Sequence, residues 1–298
     1  MVVGLVGCGG WGRHILRDLV GLECEVPVVA RSNASKARAR EGGAAVIVDD
    51  VASLPPLDGV VVATPTSSHA AVLEEVLGID VPVYCEKPLT DDPVTAKRLA
   101  QRAPDRLFVM DKWRYHPGVL ELAAIARERR LGHVQGLTSI RIGWGNPHDD
   151  VDPVWVLAPH DIAIAFEVLG AVPTPRSAVA EVLDGQIVRL SAHLDGDGGW
   201  HAFEVSVCSP VRTRRIVLHC EAGVAVLAGG WDEHVSIFRF GPEEPVEERI
   251  ETPGELPLLA ELRAFVEHLG GGPPPKSSAA EGAATAAVIS ELRRLALA

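Results

Sequence analysis

Val2-Val3-Gly4-Leu5-Val6-Gly7-Cys8-Gly9-Gly10-Trp11-Gly12 opens as a short β-branched apolar run and passes at once into glycines spaced G-x-G-x-x-G. The residues that follow put Ile15, Leu16, Leu19 and Val20 on one helical face. Strand, glycine turn and helix in this order are the fingerprint of a dinucleotide site. Gly7 permits the tight turn, Gly9 lets the backbone approach a pyrophosphate, and Gly12 allows close helix packing. The helix start beyond Gly10 and Trp11 offers free amides to phosphate oxygens. Strand-like runs recur at Glu25 to Ala30, Val60 to Ala63, Val81 to Cys85 and Leu107 to Met110, with helical patterns at Ala70 to Leu77 and Pro93 to Ala103. The alternation predicts an α/β protein whose residues 1–115 form a doubly wound Rossmann domain on a parallel sheet.

In such a sheet ligands bind beyond the carboxyl ends of the strands. The second strand should end on an acid if the site gripped the ribose hydroxyls of NAD; it ends on Arg31-Ser32-Asn33. A guanidinium and a hydroxyl suit a 2′-phosphate, which favours NADP (NADPH) over NAD. The competing reading makes Arg31 an exposed residue and Ser32 or Asn33 a helix cap. The run Val60 to Ala63 ends on Thr64-Pro65-Thr66-Ser67-Ser68-His69, small hydroxyl residues placed either to line a nicotinamide ribose or to cap the helix behind them. Val83-Tyr84-Cys85-Glu86-Lys87-Pro88-Leu89 stops abruptly on an acid, a lysine and a proline. A lysine there meets cofactor on one side and substrate on the other, and it can donate a proton.

Taken together, Gly7 to Gly12, Ala63-Thr64-Pro65-Thr66-Ser67-Ser68-His69 and Glu86-Lys87-Pro88 resemble, in order and spacing, the Gfo/Idh/MocA oxidoreductases, the family of glucose-fructose oxidoreductase and inositol dehydrogenase. The resemblance runs along essentially the whole chain and is strongest before residue 120. It implies that Lys87 is catalytic and precedes a cis proline, and that Glu86, Thr66 and His69 lie near the nicotinamide ribose, with Thr64 and Pro65 beside them in the cofactor site. Asp111-Lys112-Trp113-Arg114-Tyr115-His116-Pro117 resembles the family's Arg-aromatic-x-Pro element. Arg114 then contacts cofactor or substrate, or forms an interdomain salt bridge; Trp113 and Tyr115 wall the substrate pocket or fill core.

A second chemical segment is Trp155-Val156-Leu157-Ala158-Pro159-His160-Asp161, preceded by Asn146-Pro147-His148-Asp149-Asp150-Val151-Asp152. Pro159 suits a first helical turn, which places His160 at a helix start. Family members commonly carry Asp-x-x-x-His here, the histidine moving a proton and the aspartate supporting it. His160 matches, but position 156 is valine. Either His160 works with Lys87 alone, or Asp161 or one of Asp149, Asp150 and Asp152 supplies the carboxylate, or catalysis has been lost. Lys87, Trp113, Tyr115, Asn146, His148 and Asp161 make up the expected substrate-binding set. Trp11-Gly12 and Leu157 to Asp161 look most like the branch acting on nucleotide-linked sugars.

After a helix at His116 to Arg130 the pattern turns to strands at Val134 to Trp144, Ser177 to Leu183, Ile187 to Leu194, Phe203 to Cys208, Arg215 to Cys220, Val224 to Leu227 and Val235 to Phe240. Short Gly/Asp turns join several of them, so residues 116–298 are expected to form an α+β domain on a mostly antiparallel open sheet. Helices at Leu256 to Leu269 and Ala279 to Leu297 close the chain, the last free to pack back on the first domain. The resemblance implies a homodimer or homotetramer through this sheet.

The composition fits this reading. The chain has 298 residues, 47% hydrophobic and 23% charged, enough for two cored domains. Forty acids outweigh 28 bases for a net charge of -12, which argues against nucleic acid or an anionic membrane as partner. Cys8, Cys24, Cys85, Cys208 and Cys220 contain no C-x-x-C pair. Buried thiols in a reducing cytoplasm are expected, with no disulfide and no metal site. Neither a signal peptide nor an apolar run of about 18 residues is present. The leading function is hydride transfer between NADP(H) and a carbinol or ketone carbon of a small-molecule substrate, a sugar or nucleotide-linked sugar. The rivals are reduction of a C=N bond and a catalytically silent nucleotide sensor.

Overall fold

The computed structural model describes residues 1–146, 150–244 and 246–298. The chain folds as two compact units, Met1–Lys112 with Leu258–Ala286, and Trp113–Pro257 with Ala287–Ala298. The main segment of the first unit ends at Lys112. The chain returns to that unit at Leu258, ahead of the final helix, and no shift in composition announces the return.

The first unit carries six parallel strands: β1 (Val3–Val6), β2 (Pro27–Val29), β3 (Val46–Val48), β4 (Gly59–Val62), β5 (Val83–Glu86) and β6 (Leu107–Met110), in the order β3-β2-β1-β4-β5-β6. β1, β4, β5 and β6 are buried along their whole length, which is why they read as continuous apolar runs. β3 escaped the sequence reading because it is only three residues long and partly exposed at the sheet edge. Helices α1 (Gly12–Gly21), α2 (Asn33–Glu41), α3 (His69–Val76) and α4 (Pro93–Arg102) fall between strands. The buried stripe Ile15, Leu16 and Leu19 of α1 joins a core with Val3, Leu5, Val28 and Val61.

The second unit holds α5 (Pro117–Glu128), β7 (Val134–Trp144), α6 (Pro153–Leu169), β8 (Thr174–Leu183), β9 (Gln186–Asp195), β10 (Trp200–Ser206), β11 (Cys208–Cys220), β12 (Gly223–Leu227), β13 (His234–Arg239) and β14 (Glu247–Glu251). The strands form one sheet in the order β14-β13-β12-β11-β7-β10-β9-β8, antiparallel except for the β7/β10 pair. β14, Glu247-Glu248-Arg249-Ile250-Glu251, lacks apolar alternation because it is an edge strand, where charge discourages unwanted pairing. Helices α5 and α6 bury Val119, Leu122, Ile125, Ile164 and Val168 against Leu137, Ile216, Leu218 and Leu227 of the sheet. The chain closes with α7 (Pro257–Leu269) and α8 (Ala279–Ala296). Leu258, Leu262 and Phe265 of α7 complete the core of the first unit.

One expectation about α6 is corrected. The helix starts at Pro153, with the Asp152 carboxylate accepting from the Val154 amide at 2.8 Å. Proline and N-cap signals six residues upstream of Pro159 take the first-turn place, so Pro159 lies inside the helix and His160 in its middle rather than at its start.

Candidate functional site

In the first unit the residues singled out by sequence gather at the carboxyl end of the parallel sheet. Gly7 has φ +99°, and a Cβ there would sit 2.7 Å from the Ala63 carbonyl oxygen; one on Gly12 would sit 2.3 Å from the Gly7 carbonyl oxygen. Any side chain at either position would break the turn. Gly9 and Gly10 face open space instead, with nothing within 4 Å of a built Cβ. Trp11 is the N-cap of α1 and makes no side-chain capping bond, while the Arg13 and His14 amides donate to the Gly9 and Trp11 carbonyls at 3.3 and 2.8 Å. The Thr64 hydroxyl, just beyond β4, is buried and has no hydrogen-bond partner among the described residues. A closely packed glycine turn, an open cradle and an orphaned hydroxyl are what a bound dinucleotide would complete.

The Glu86-Lys87-Pro88 turn is held from several sides. Trp11 Nε1 donates to Glu86 Oε1, and the Lys87 amide donates to Glu86 Oε2 at 3.1 Å. The Lys112 ammonium lies 4.1 Å from the centre of the Trp11 ring. The Lys87–Pro88 peptide is cis, and Lys87 is half-buried. His69 is only 1% exposed; its Nδ1 lies 2.8 Å from the Pro88 carbonyl oxygen and its Nε2 3.0 Å from that of Thr64. The ring therefore ties the ends of β4 and β5 together, a positioning part of the site. Thr66 is buried in the turn between Pro65 and α3, and Ser68 hydrogen-bonds the Pro65 carbonyl at 2.7 Å instead of capping α3.

At the end of β2, Arg31 is exposed and its Nε donates to the Asp49 carbonyl at 3.3 Å. Ser32 is the N-cap of α2, its Oγ accepting from the Ser35 amide at 3.1 Å.

Sequence reasoning missed Glu261. This residue of α7 is 1% exposed and sits among the acids and bases at the ends of β5 and β6. Burial first, then the Glu86 and Asp111 carboxyls, push it well above the usual carboxylate range, against the pull of Lys112 and a hydrogen bond with Tyr84. The sequence carries only a faint mark of it, which needs the helix's buried face to be read. An acid at 261 shares the 3.6-residue stripe of Leu258, Leu262 and Phe265, where exposed acids do not belong.

In the second unit, Trp113 lies between the His116 ring, stacked at 4.9 Å, and the Arg141 guanidinium, 4.4 Å from its ring centre. It belongs to the core cluster, whereas Tyr115 is half-buried. Arg114 pairs with Glu167 of α6 at 3.0 Å and lies over the Phe166 ring. Asp161 is 1% exposed and accepts from Arg141 Nε at 2.7 Å. Beside this pair, burial and then Arg141 and Arg212 hold the Arg214 guanidinium down at about 10, with Asp161 pulling the other way. Asp152 accepts from the Ile187 amide at 3.0 Å and pairs with Arg293 at 2.8 Å. Asp161 Oδ1 is buried and has no hydrogen-bond partner among the described residues. His160 is half-buried, and Val156, one turn before it, is buried. Asn146 follows β7, partly exposed. His148 and Asp149 lie outside the described residues. Among the described residues no cluster of three or more His, Cys, Asp or Glu is arranged to hold a metal ion.

The glycine cradle, the parallel sheet and the acid-lysine-proline turn define the first unit as a Rossmann-type nucleotide-binding fold. Residues 1–109 match the model of the oxidoreductase family with an NAD-binding Rossmann fold, Gfo/Idh/MocA. Inositol 2-dehydrogenase of Acidothermus cellulolyticus is 32% identical over 142 residues, 44% of this chain and 42% of the relative. UDP-N-acetylglucosamine 3-dehydrogenase of Acidithiobacillus ferrooxidans is 31% identical over 189 residues, 60% of this chain and 58% of the relative. The matched sequence thus spans about half of these relatives' own lengths. A solved structure of the Acidithiobacillus ferrooxidans enzyme superposes with a TM-score of 0.85 at 22% identity, covering 99% of this chain and 97% of that one. Levoglucosan dehydrogenase in complex with NADH and levoglucosan superposes with a TM-score of 0.85 at 14% identity, covering 100% and 97%. At these identities the superpositions show the fold alone.

Proposed function

We propose that this protein is a nicotinamide-dependent oxidoreductase acting on a carbinol or ketone carbon of a sugar or nucleotide-linked sugar. The observation that carries the reading is the placement of Lys87. It stands half-buried at the carboxyl end of β5, next to a glutamate held by Trp11 and by the Lys87 amide. The substrate class is supported by the relatives, which are named as dehydrogenases of inositol and of a nucleotide-linked amino sugar.

Gly7, Gly9, Gly10 and Gly12 would hold the pyrophosphate over the start of α1, with Thr64, Thr66 and Glu86 toward the ribose next to the nicotinamide. A bound nicotinamide supplies or accepts the hydride. Lys87 Nζ donates a proton to the carbonyl oxygen in reduction, takes it back in oxidation, and stabilises negative charge developing on that oxygen. His160 is a second acid–base group in this proposal, on the strength of its motif. NADP(H) is the proposed cofactor. Because the Ser32 hydroxyl caps α2, that preference rests on Arg31, whose charged fork suits a 2′-phosphate.

Purified protein, NADPH and a panel of keto-sugars, nucleotide-linked keto-sugars and cyclic imines, followed at the nicotinamide absorbance, test the reading. Turnover of a keto-sugar is expected. NADPH binding with no turnover across the panel would identify a sensor, and turnover of imines alone a C=N reductase.

A further inference from the structure

Glu261 plays no part in the proton transfer assigned to Lys87, yet it is a carboxyl group almost wholly removed from water. Helix α7 presents it to the end of the parallel sheet. One turn on, Phe265 stacks on Tyr84 of β5 with ring centres 5.0 Å apart, which fixes that face of the helix against the strand that ends in Glu86. Tyr84 and Glu86 face Glu261 from β5, and Asp111 and Lys112 face it from the turn after β6. The Glu261 Oε2 atom is buried and has no hydrogen-bond partner among the described residues.

Among the described residues the cluster holds three carboxyl groups, Glu86, Asp111 and Glu261, with the Lys112 ammonium and, on the turn beyond Glu86, Lys87, at the sheet end where an open parallel sheet receives its ligand. Left ionised, Glu261 would add an uncompensated charge in a poorly solvated place. A proton on Glu261 removes that excess, in keeping with the upward direction in which burial drives it. A cation arriving at the same end would change the balance, because opposite charge nearby favours the carboxylate. The two redox forms of a nicotinamide differ in this respect: the oxidised ring carries a positive charge and the reduced ring carries none.

Resting on the nicotinamide reading above, we propose that Glu261 is the residue through which this protein distinguishes oxidised from reduced cofactor. It releases its proton to solvent when the cationic ring binds and keeps it when the neutral ring binds. Glu261 acts through Glu86 and Lys112, as a positioning residue for charge rather than as a group touching the reacting atoms. It makes preference for the oxidised form rise with pH.

Calorimetric titration of the whole protein with NADP⁺ and with NADPH, in two buffers of different ionisation enthalpy, counts the protons released. Near neutral pH the oxidised form is expected to release a large fraction of a proton and the reduced form about none. As pH rises through the range where the release is seen, the affinity for the oxidised form should rise several-fold while that for the reduced form stays within about twofold. In Glu261→Gln both the release and the rise should vanish with NADPH affinity retained. Tyr84→Phe removes a donor that favours the charged form, so it should lower the release, and it stands in if Glu261→Gln fails to fold. Equal proton counts for the two redox forms in the unmutated protein, or a release that persists in Glu261→Gln, would overturn the inference while leaving the cofactor reading intact. Failure of either nicotinamide form to bind would overturn both.

Discussion

Lys87 carries the largest chemical demand in this reading, and its surroundings say how it should fail. Its neighbours Glu86 and Pro88 are fixed by Trp11 and His69, so removing the lysine side chain leaves the turn supported. Lys87→Ala should therefore bind NADPH nearly as the unmutated protein does and lose about 10² to 10⁴-fold in turnover, the range for a positioned acid–base group. His160→Ala should lose nearer the lower end. Single-turnover hydride transfer on a confirmed substrate measures both; unchanged rates in the two variants would put the chemistry elsewhere. Arg31 makes a different demand, on binding alone. Arg31 is exposed, with its Nε on the Asp49 carbonyl and the Asp50 carboxyl within electrostatic reach; its fork is proposed to take a 2′-phosphate, and Arg31→Ala should weaken NADPH by about 1 to 3 kcal/mol while sparing NADH. Fluorescence titration with both cofactors decides this, and equal affinities in the unmutated protein would refute the preference.

Strand β10 stores a pH response of its own. His201 is buried there with Nε2 3.0 Å from the Ser139 hydroxyl and Nδ1 without a hydrogen-bond partner among the described residues. Burial, helped by the charge of His193, holds its pKa down to about 3, against an ordinary 6.5. The unfolded chain takes up this proton first, so the contribution to stability is full above about 6.5 and shrinks as pH falls toward about 3, with a limiting slope of ~1.4 kcal/mol per pH unit. Denaturant unfolding at about pH 7 and about pH 5 should show a loss that His201→Gln reduces. Identical pH slopes in the two proteins would clear His201 of the effect. This buried histidine carried no mark in the sequence, unlike the elements around it. β1, β4, β5 and β6 were legible as apolar runs, because strands covered on both faces have no solvent side to alternate. Glu86 and Lys87 were legible because charge at the end of such a run is unusual. Glu261 was not, since one acid in a helical stripe is read only once the stripe's buried face is known. The start of α6 was misplaced because two prolines, Pro153 and Pro159, each suit a first turn, and the Asp152 cap decides between them.

The eight-stranded sheet of the second unit leaves large apolar side chains in water. Trp144 is 77% exposed, Val179 72% and Val211 66%. Helices α5 and α6 are packed into the core, and apolar patches of this kind seldom stay bare. The protein should run as a dimer or larger in size-exclusion chromatography with light scattering; a clean 31.7 kDa species at micromolar concentration would count against assembly. The return of the chain at Leu258 bears on how the molecule is made. The ribosome delivers residues 1–112 first, but Leu258, Leu262 and Phe265, which close the core around β1, β2 and β5, emerge only after the whole of the second unit's main segment. During that interval the core around β1, β2 and β5 lacks these side chains. The same late helix brings Glu261, so the core and its buried carboxyl are completed in one step of synthesis.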